Sequence, residues 1–403
     1  MSYIMTPPAE RRLEGYFAMI GQILKNTAQR ASFALYAYGI LGEGERKSVE
    51  PIAARTCGAD LKRVDAVHQR LLHFVGPAKW SDSEVRLTAA RYAVSAMTKR
   101  GPIKSAIIDD TGFLKQGTHS VGVKRQYTGS AGKVANCQVV VSLTLATLTD
   151  HAPVDMQLYL PDTWANDPVR RKEGQIPNDV VFQTKPQIAL SMLRKAQMDG
   201  LPLGRVLADC AYGDNDEFRE GVRSLGLEYA VGLQGTQKVY GVNRQGFRHP
   251  KPIQIGQWAA GLKPGQFRRL AWREGTKKQL VARFAFKRVV LARDPRKEEM
   301  WLVIERAEDK PKGFKYHLAT GPRTMKKKEL IRQLKERYRT EQMYEETKGG
   351  LGLDHYEGRR YPGWNHHVSV VLSCYAFVVA ERVRHFPPSA AWSSQAHTQR
   401  LAA

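Results

Sequence analysis

Three acidic residues stand where carboxylates could bind metal ions. Asp110 follows the apolar run 106–108, Asp209 ends the apolar run 206–208, and Glu341 lies in a strongly basic stretch. Hard divalent cations prefer oxygen ligands, and magnesium binds through a few carboxylates together with substrate phosphates. Two such ions can activate a water or a 3′-hydroxyl and stabilise the leaving oxygen of an in-line displacement at phosphorus. The three acids therefore predict a Mg²⁺ site for phosphodiester chemistry, in which Mn²⁺ would substitute.

Each acid also has a simpler explanation. Asp109 and Asp110 could form a solvated turn at the end of a strand, Asp209 could cap the next turn, and Glu341 could be an ordinary surface acid of a helix. Neighbouring side chains on a strand point to opposite faces, so Asp109 and Asp110 cannot both face the same site. Taken together with the topology and the charge described below, the three acids favour the catalytic interpretation.

A mixed α/β pattern must position these acids. Three or more strands with Gly-rich turns precede an alternation of helix and strand, in the order β-β-β-α-β-α-β. In that order the first strand and the strand that follows the first helix lie side by side, which would bring Asp110 and Asp209 together. The predicted segments are strands Lys104–Asp110, His119–Tyr127, Gln138–Leu145 and Val154–Leu160, helix Lys185–Met198, strand Gly204–Asp209, helix Asn215–Ser224 and strand Glu228–Leu233.

The remaining chain divides by pattern. Residues 1–100 have helical periodicity, and the turn at 56–60 is compatible with a helix-turn-helix. A long basic helix, Lys326–Lys348, should end at Gly349-Gly350, and a last helix fits Trp364–Arg384. The predicted domains are an N-terminal helical DNA-binding domain (1–100), a catalytic core in two parts (101–234 and 319–388), a β-rich insertion (235–318) and a disordered tail (389–403).

The charge of the chain indicates a polyanionic partner. It contains 63 Lys and Arg against 39 Asp and Glu, a net charge of +24. Nucleic acid is the first candidate for so basic a protein, and double-stranded DNA is the expected partner. The start of the chain lacks a secretory pattern, and the apolar stretch Val368–Ala380 is too short and interrupted to span a bilayer. We therefore expect no membrane association and a cytoplasmic, nucleoid-associated protein in a bacterium.

Basic residues near the acids are candidate DNA contacts. Arg337, Glu341, Glu345 and Lys348 fall at offsets 0, 4, 8 and 11, so one helix face would carry all four. Arg337 and Lys348 would engage DNA phosphates there. Lys115, Lys124 and Arg125 surround the first acid in sequence and could contact phosphates near a cut, although a hairpin with solvated lysines explains them equally well.

Long motifs resemble those of the DDE transposases of bacterial insertion sequences, specifically the Insertion Sequence 701 family within the Insertion Sequence 4 group. The similar stretches are IDDTGFLKQGTHSVGVKRQYTGSAGKVANCQVVVSL (108–143), VLADCAYGD (206–214), RYRTEQMYEETKGGLGLDHYEGRRYPGWNHH (337–367) and SVEPIAARTCGADLKRVDAVHQRLLHFV (48–75). The resemblance implies a ribonuclease-H-like mixed sheet with flanking helices, interrupted by a β-rich insertion and preceded by an all-α domain.

The resemblance also implies roles for individual residues. Asp110, which precedes Thr111, and Asp209, which precedes a Tyr-Gly turn, match the two catalytic aspartates. The group's Tyr-x2-Arg-x3-Glu-x6-Lys signature matches Arg337, Glu341 and Lys348, whereas its tyrosine position is Leu334. Lesser candidates for the third metal ligand are Glu345 and Glu346. A tryptophan of the insertion stacks on a flipped base in related enzymes, and the insertion contains Trp258, Trp272 and Trp301, each of which could instead pack in a small β core.

The function implied is that of a transposase acting as a homodimer in a synaptic complex. Such a protein binds terminal inverted repeats, cleaves phosphodiester bonds at the ends with two divalent metals, and transfers the 3′-hydroxyl ends to target DNA. Two alternatives stay open. One is a domesticated, non-catalytic derivative that only binds DNA, and the other is a nuclease of the same fold that cuts without joining.

Overall fold

The computed structural model describes residues 6–274, 279–306 and 313–386. The chain divides into two compact units. Unit 1 holds the described residues of Met1–Pro102, Asp110–Met192 and Arg339–Pro387, and unit 2 holds those of Ile103–Asp109 and Leu193–Tyr338. One boundary between the units falls between the adjacent acids Asp109 and Asp110, inside strand β1 (Ser105–Leu114). The predicted tail 389–403 lies outside the described residues.

Unit 1 combines a helical N-terminal region with an antiparallel sheet. The second half of β1 lies beside β3, and β3 pairs with β2 and β4. Side chains of Asn26, Asp60 and Ser81 cap three of the helices by accepting a backbone N–H. The further elements are α1 Pro7–Gly21, α2 Thr27–Leu41, α3 Val49–Cys57, α4 Leu61–Val75, α5 Asp82–Thr98, β2 Lys124–Thr128, β3 Lys133–Ala146, β4 His151–Tyr159, α6 Asp162–Ala165, α7 Pro168–Gly174, most of α8 Lys185–Met198, nearly all of α13 Tyr338–Leu351, and α14 Tyr361–His385.

Unit 2 is built on a larger mixed sheet. The start of β1 pairs in parallel with β5, and β5 pairs in parallel with β6. Antiparallel strands continue the order as β6-β12-β11-β10-β7-β8, and β9 also pairs with β10. The elements are β5 Arg205–Ala208, α9 Cys210–Gly213, α10 Asp216–Ser224, β6 Tyr229–Leu233, β7 Lys238–Val242, β8 Ile253–Gln254, α11 Ile255–Ala260, a 3-10 turn at Pro264–Gln266, β9 Arg268–Glu274, β10 Gln279–Leu291, β11 Met300–Arg306, β12 Phe314–Ala319 and α12 Lys327–Lys335.

The predicted fold class is confirmed: mixed sheets with flanking helices follow an all-α N-terminal segment, and residues 235–318 are rich in strands. Helix α8 has the predicted bounds. The predicted second strand was too long, because residues 119–123 precede β2 without being part of it. Strand β10 runs without a break from Gln279 to Leu291, and its ladder with β11 is continuous through Lys287 and Arg288.

The prediction of one long basic helix over 326–348 was wrong, because the segment forms two helices, α12 and α13. The break falls at Glu336 and Arg337, where the sequence has neither Pro nor Gly. Within unit 2, Lys335 binds Glu305 at 2.5 Å and Arg337 binds Asp109 at 2.6 Å. The break directly precedes the boundary between the two units, which falls between Tyr338 and Arg339. Helix α13 continues through Gly349 and Gly350 to Leu351.

Helix α14 forms the centre of unit 1. Its apolar stretch Val368–Ala380 is buried, with the exception of half-buried Val378, and packs against α5 and β4. Trp364, near its start, is 1% exposed. This burial explains the hydrophobicity of the stretch. Across the described ranges, no helix has the length and apolar character that crossing a membrane requires.

His367 on α14 makes the stability of the protein depend on pH. Its Nδ1 lies 2.8 Å from the Tyr36 hydroxyl and its Nε2 lies 3.0 Å from the carbonyl oxygen of Gly352, so the neutral ring satisfies both nitrogens. Burial is the main cause that lowers the pKa of His367 to about 4. The unfolded chain takes up this proton near pH 6.5, so the contribution is present above that pH and is lost as the pH falls towards 4.

We expect the free energy of unfolding to fall by up to about 3 kcal/mol through His367 between pH 6.5 and 4. Urea denaturation at a series of pH values measures this slope. His367→Gln should flatten the slope, whereas the exposed His119→Gln should leave it unchanged. Equal slopes in wild type and His367→Gln would contradict the assignment.

Candidate active site

Asp110 of unit 1 lies in β1 with a lysine as its counter-ion. The Nζ of Lys185, the first residue of α8, donates to Asp110 Oδ2 at 2.8 Å. The side chains of Asp110 and Lys185 are 23% and 33% exposed, so solvent reaches both. Sequence reasoning did not single out Lys185, because a lysine at a helix start is common and nothing local ties it to a residue 75 positions earlier.

Lys348 of α13 ties three segments of unit 1 together. Its Nζ donates to Thr111 Oγ1 at 2.8 Å, to the Gly112 carbonyl at 3.0 Å and to Ser130 Oγ at 3.2 Å. Burial lowers the pKa of Lys348. Lys348, which was predicted to contact a DNA phosphate, therefore binds oxygens of the protein. One of these oxygens belongs to Thr111, the residue after Asp110 in β1.

Glu341 lies in the first turn of α13 and is exposed, as is Glu345 one turn later. Their spacing to Lys348 places all three on one helix face, as predicted. Tyr344 of α13 shares a buried hydrogen bond of 2.5 Å with Ser142, which fixes the helix in the core of unit 1. Arg339 adds hydrogen bonds to the carbonyls of residues 148 and 149.

Glu346 has a structural position. Its Oε2 accepts hydrogen bonds from the Tyr375 hydroxyl and from Arg382 Nη1, both at 2.6 Å. The Glu346 side chain is only 9% exposed. These two contacts and its burial give Glu346 a structural role in unit 1.

Asp209 of unit 2 directly follows β5. It caps α9 by accepting the backbone N–H of Ala211 on Oδ1 at 2.9 Å. The parallel register aligns Ser105 with Arg205 and Ile107 with Leu207. Two further residues in the same register set Asp209 opposite Asp109. This register places Asp209, which follows β5, beside Asp109, which lies within β1, in unit 2.

Asp109 and Arg337 form an ion pair in unit 2. Arg337 Nη1 lies 2.6 Å from Asp109 Oδ2, and the two side chains are 32% and 12% exposed. Arg337 precedes α13, which begins at Tyr338, so the prediction that it shares a helix face with Glu341 was wrong. Burial, with smaller effects from the charges of Asp209 and Asp214, raises the pKa of the Cys210 thiol, and Arg337 opposes this shift. Arg337 therefore carries its positive charge close to the Asp209 end of β5.

The other predicted DNA contacts differ in exposure. Lys115 is half-buried, donates to the Tyr356 carbonyl at 2.6 Å and has a pKa lowered by burial. Lys124 is exposed and pairs with Asp162 at 3.3 Å. Arg125 is exposed on β2. Only Lys124 and Arg125 thus present their charge to solvent.

The tryptophans of the β-rich segment pack within unit 2. Trp301 is buried, donates to the Pro322 carbonyl at 3.1 Å and carries Arg288 over its ring. Trp272 is half-buried beneath Lys335, whose Nζ lies 4.6 Å from the ring centroid. Trp258 is half-buried with Lys287 at 5.7 Å. These contacts support the packing interpretation.

The donor chemistry suits a hard cation, because Asp110, Asp209 and Glu341 all offer carboxylate oxygens. Within residues 6–274, 279–306 and 313–386, however, no group of three or more His, Cys, Asp and Glu side chains is arranged to hold a metal ion. The metal role of these three acids therefore stays a prediction.

Comparison with known proteins identifies the family. The structure is similar to a cryo-EM structure of the piggyBac transposase synaptic complex with hairpin DNA, with a TM-score of 0.44 and 9% identity over 94% of this chain and 70% of that chain. The sequence is 29% identical over 224 residues to a probable transposase for insertion sequence element IS701 from Microchaete diplosiphon. That match covers 55% of this chain, and the chain spans about half of the relative's length (54%).

A family model described as DDE superfamily endonuclease matches residues 20–279, more than half of the 403 residues. The resemblance to insertion-sequence DDE transposases that the motifs indicated is thereby confirmed. The chain belongs to the DDE superfamily endonuclease family.

Proposed function

We propose that the protein is a DNA transposase that cleaves the ends of an insertion sequence and joins their 3′-hydroxyls to target DNA. The observation that carries the proposal is the Asp110–Lys185 pair: a solvent-accessible carboxylate within the otherwise buried strand β1, which continues past the predicted end at Asp110 to Leu114, held by a cation in a chain of this family. The ammonium group of Lys185 balances the negative charge of Asp110. A divalent ion bound by Asp110 would balance the same charge.

Asp110, Asp209 and Glu341 would hold two divalent ions, with Mg²⁺ as the expected metal and Mn²⁺ as its substitute. The bound ions would supply Lewis-acid chemistry and charge neutralisation at the scissile phosphate. Family membership supports divalent metal use in general. The protein's own residues would prepare this site: Lys185 balances the charge of Asp110, and Lys348 fixes the backbone that follows it.

Arg337 and Lys348 would act on DNA phosphates near the cut, and Arg125 and Lys124 would extend the positive surface. The net charge of +24 supports duplex DNA as the partner. The helical segment 1–100 is the proposed end-binding domain, where α4 exposes Lys62, Arg63 and Arg70 after a turn that follows α3. Two copies would pair the ends in a synaptic complex, on the nucleoid in the cytoplasm.

A strand-transfer assay tests the proposed function against its rivals. Labelled duplex carrying the element's terminal sequence is incubated with supercoiled plasmid and either Mg²⁺ or EDTA. A transposase should release 3′-hydroxyl ends and covalently label the plasmid with Mg²⁺ alone. Cutting without labelled plasmid would identify a nuclease, and binding without cutting would identify a non-catalytic derivative; either result would refute the proposal.

A further inference from the structure

Tyr127 is a large aromatic side chain that unit 1 leaves in solvent. It lies on β2, is 66% exposed, and pairs across the hairpin with Val134, which is 53% exposed. Arg125, two residues earlier on the same strand and therefore on the same face, is also exposed. This face of the hairpin combines an aromatic ring, an apolar neighbour and a guanidinium.

The hairpin is anchored to the strand that carries Asp110. Ser130 Oγ, at its tip, donates to the Gly112 carbonyl at 3.0 Å and lies 3.3 Å from the Gly112 amide nitrogen, which donates to it. Thr128 lies so close over Gly112 that a Cβ at position 112 would clash with its side chain. Lys348 binds both Ser130 and Thr111. Tyr127 is thus part of a segment held to β1 directly beyond Asp110.

A single exposed apolar residue is common and needs no explanation. The surroundings distinguish Tyr127, because among the described residues its ring has no aromatic or cationic contact and the nearest residues on its face are Arg125 and Val134. Aromatic rings beside cations bind single-stranded nucleic acid, since every base offers a π-face for stacking and the cation attracts the backbone. The tryptophans of unit 2, by contrast, pack against their own unit.

We propose that Tyr127 stacks on an unpaired base of the DNA strand next to the cut, while Arg125 holds the adjoining phosphate. This inference rests on the proposed function and adds a nucleotide-binding position to it. Thr128, next to Tyr127, packs over Gly112, two residues beyond Asp110, so the stacked base would belong to the strand beside a phosphate at Asp110.

Two DNA probes test this position. One is a blunt duplex, and the other is the same duplex with a short single-stranded 3′ extension that contains 2-aminopurine, whose fluorescence falls on stacking. Affinities and quenching are measured for wild type, Tyr127→Ala and Tyr127→Phe. The matched control is Phe247→Ala, which removes an aromatic side chain that is 72% exposed in unit 2.

Tyr127→Ala should bind the extended probe about tenfold more weakly than wild type and lose the quenching, with the blunt duplex affected less than about twofold. Tyr127→Phe should keep both properties, because stacking needs the ring and not the hydroxyl. Equal behaviour of Tyr127→Ala and Phe247→Ala, or no quenching by wild type, would overturn the inference. If wild type quenches through Tyr127 but never cleaves end DNA with Mg²⁺, the inference stands and the proposed function fails.

Discussion

The Asp110→Asn variant should lose cleavage of end DNA by at least about 10³-fold and still bind the DNA as tightly as wild type. The substitution keeps the size of the side chain and removes the charge that a divalent ion requires, and a metal's contribution to transition-state stabilisation is several kcal/mol. The fold should tolerate the change, because Asp110 and Lys185 are both partly exposed and such pairs contribute little to stability. Single-turnover cleavage and anisotropy measure the two properties.

Asp109→Asn is the matched control, since it makes the same chemical change at the adjacent residue. Asp109 is bound to Arg337, is largely buried, and stands opposite Asp209 in the extended register of unit 2. We expect this variant to lose about 1–2 kcal/mol of stability, because a guanidinium loses its charged partner, and to retain measurable cleavage. If Asp109→Asn abolished cleavage while Asp110→Asn cut at the wild-type rate, the catalytic role would belong to Asp109.

Glu346→Ala should be the most destabilising change of a charged residue on α13, at about 3 kcal/mol. The variant leaves the guanidinium of Arg382 and the hydroxyl of Tyr375 without the carboxylate that both now contact. Burial is also the main cause that raises the pKa of Tyr375, so its hydroxyl stays neutral and needs an acceptor. Thermal unfolding should shift down by roughly 3–4 °C, because the entropy of unfolding scales with the length of the chain.

Glu345→Ala on the same helix is the control for Glu346→Ala. Glu345 is exposed, and an exposed substitution typically changes stability by less than about 0.5 kcal/mol. Glu341→Gln should likewise leave the melting temperature near that of wild type but abolish cleavage. A melting temperature for Glu346→Ala within about 1 °C of that for Glu345→Ala would contradict the structural role of the Glu346 network.

Local patterns in the sequence were sufficient to locate the strands near Asp110 and Asp209, although β1 continues beyond Asp110 to Leu114 and the helix of Glu341 was predicted too long. The apolar runs before Asp110 and Asp209 predicted β1 and β5, and the helical spacing after Pro186 predicted α8. These elements are short-range features, because the apolar side chains that define them are close in sequence. Periodicity does not show which acids belong together, and the family's motifs predicted this grouping.

The contacts of the site could not be predicted in the same way. Lys185 is 75 positions from Asp110, and Arg337 is 228 positions from Asp109. Nothing in the neighbouring residues specifies such partners. The break between α12 and α13 was likewise not predictable, because the sequence there has neither Pro nor Gly and local propensity would continue the helix. From its position in the sequence, Glu346 is a candidate metal ligand. Spacing along the helix does not show that its side chain is buried against Tyr375 and Arg382.

A structure of the protein bound to end DNA with Mn²⁺, with the metal located by anomalous scattering, tests the central claim most directly. We expect manganese within about 2.2 Å of carboxylate oxygens of Asp110, Asp209 and Glu341, with Lys185 moved away from Asp110. Manganese bound by Asp109 in place of Asp110, or no manganese at any of the three acids beside the scissile phosphate, would contradict it.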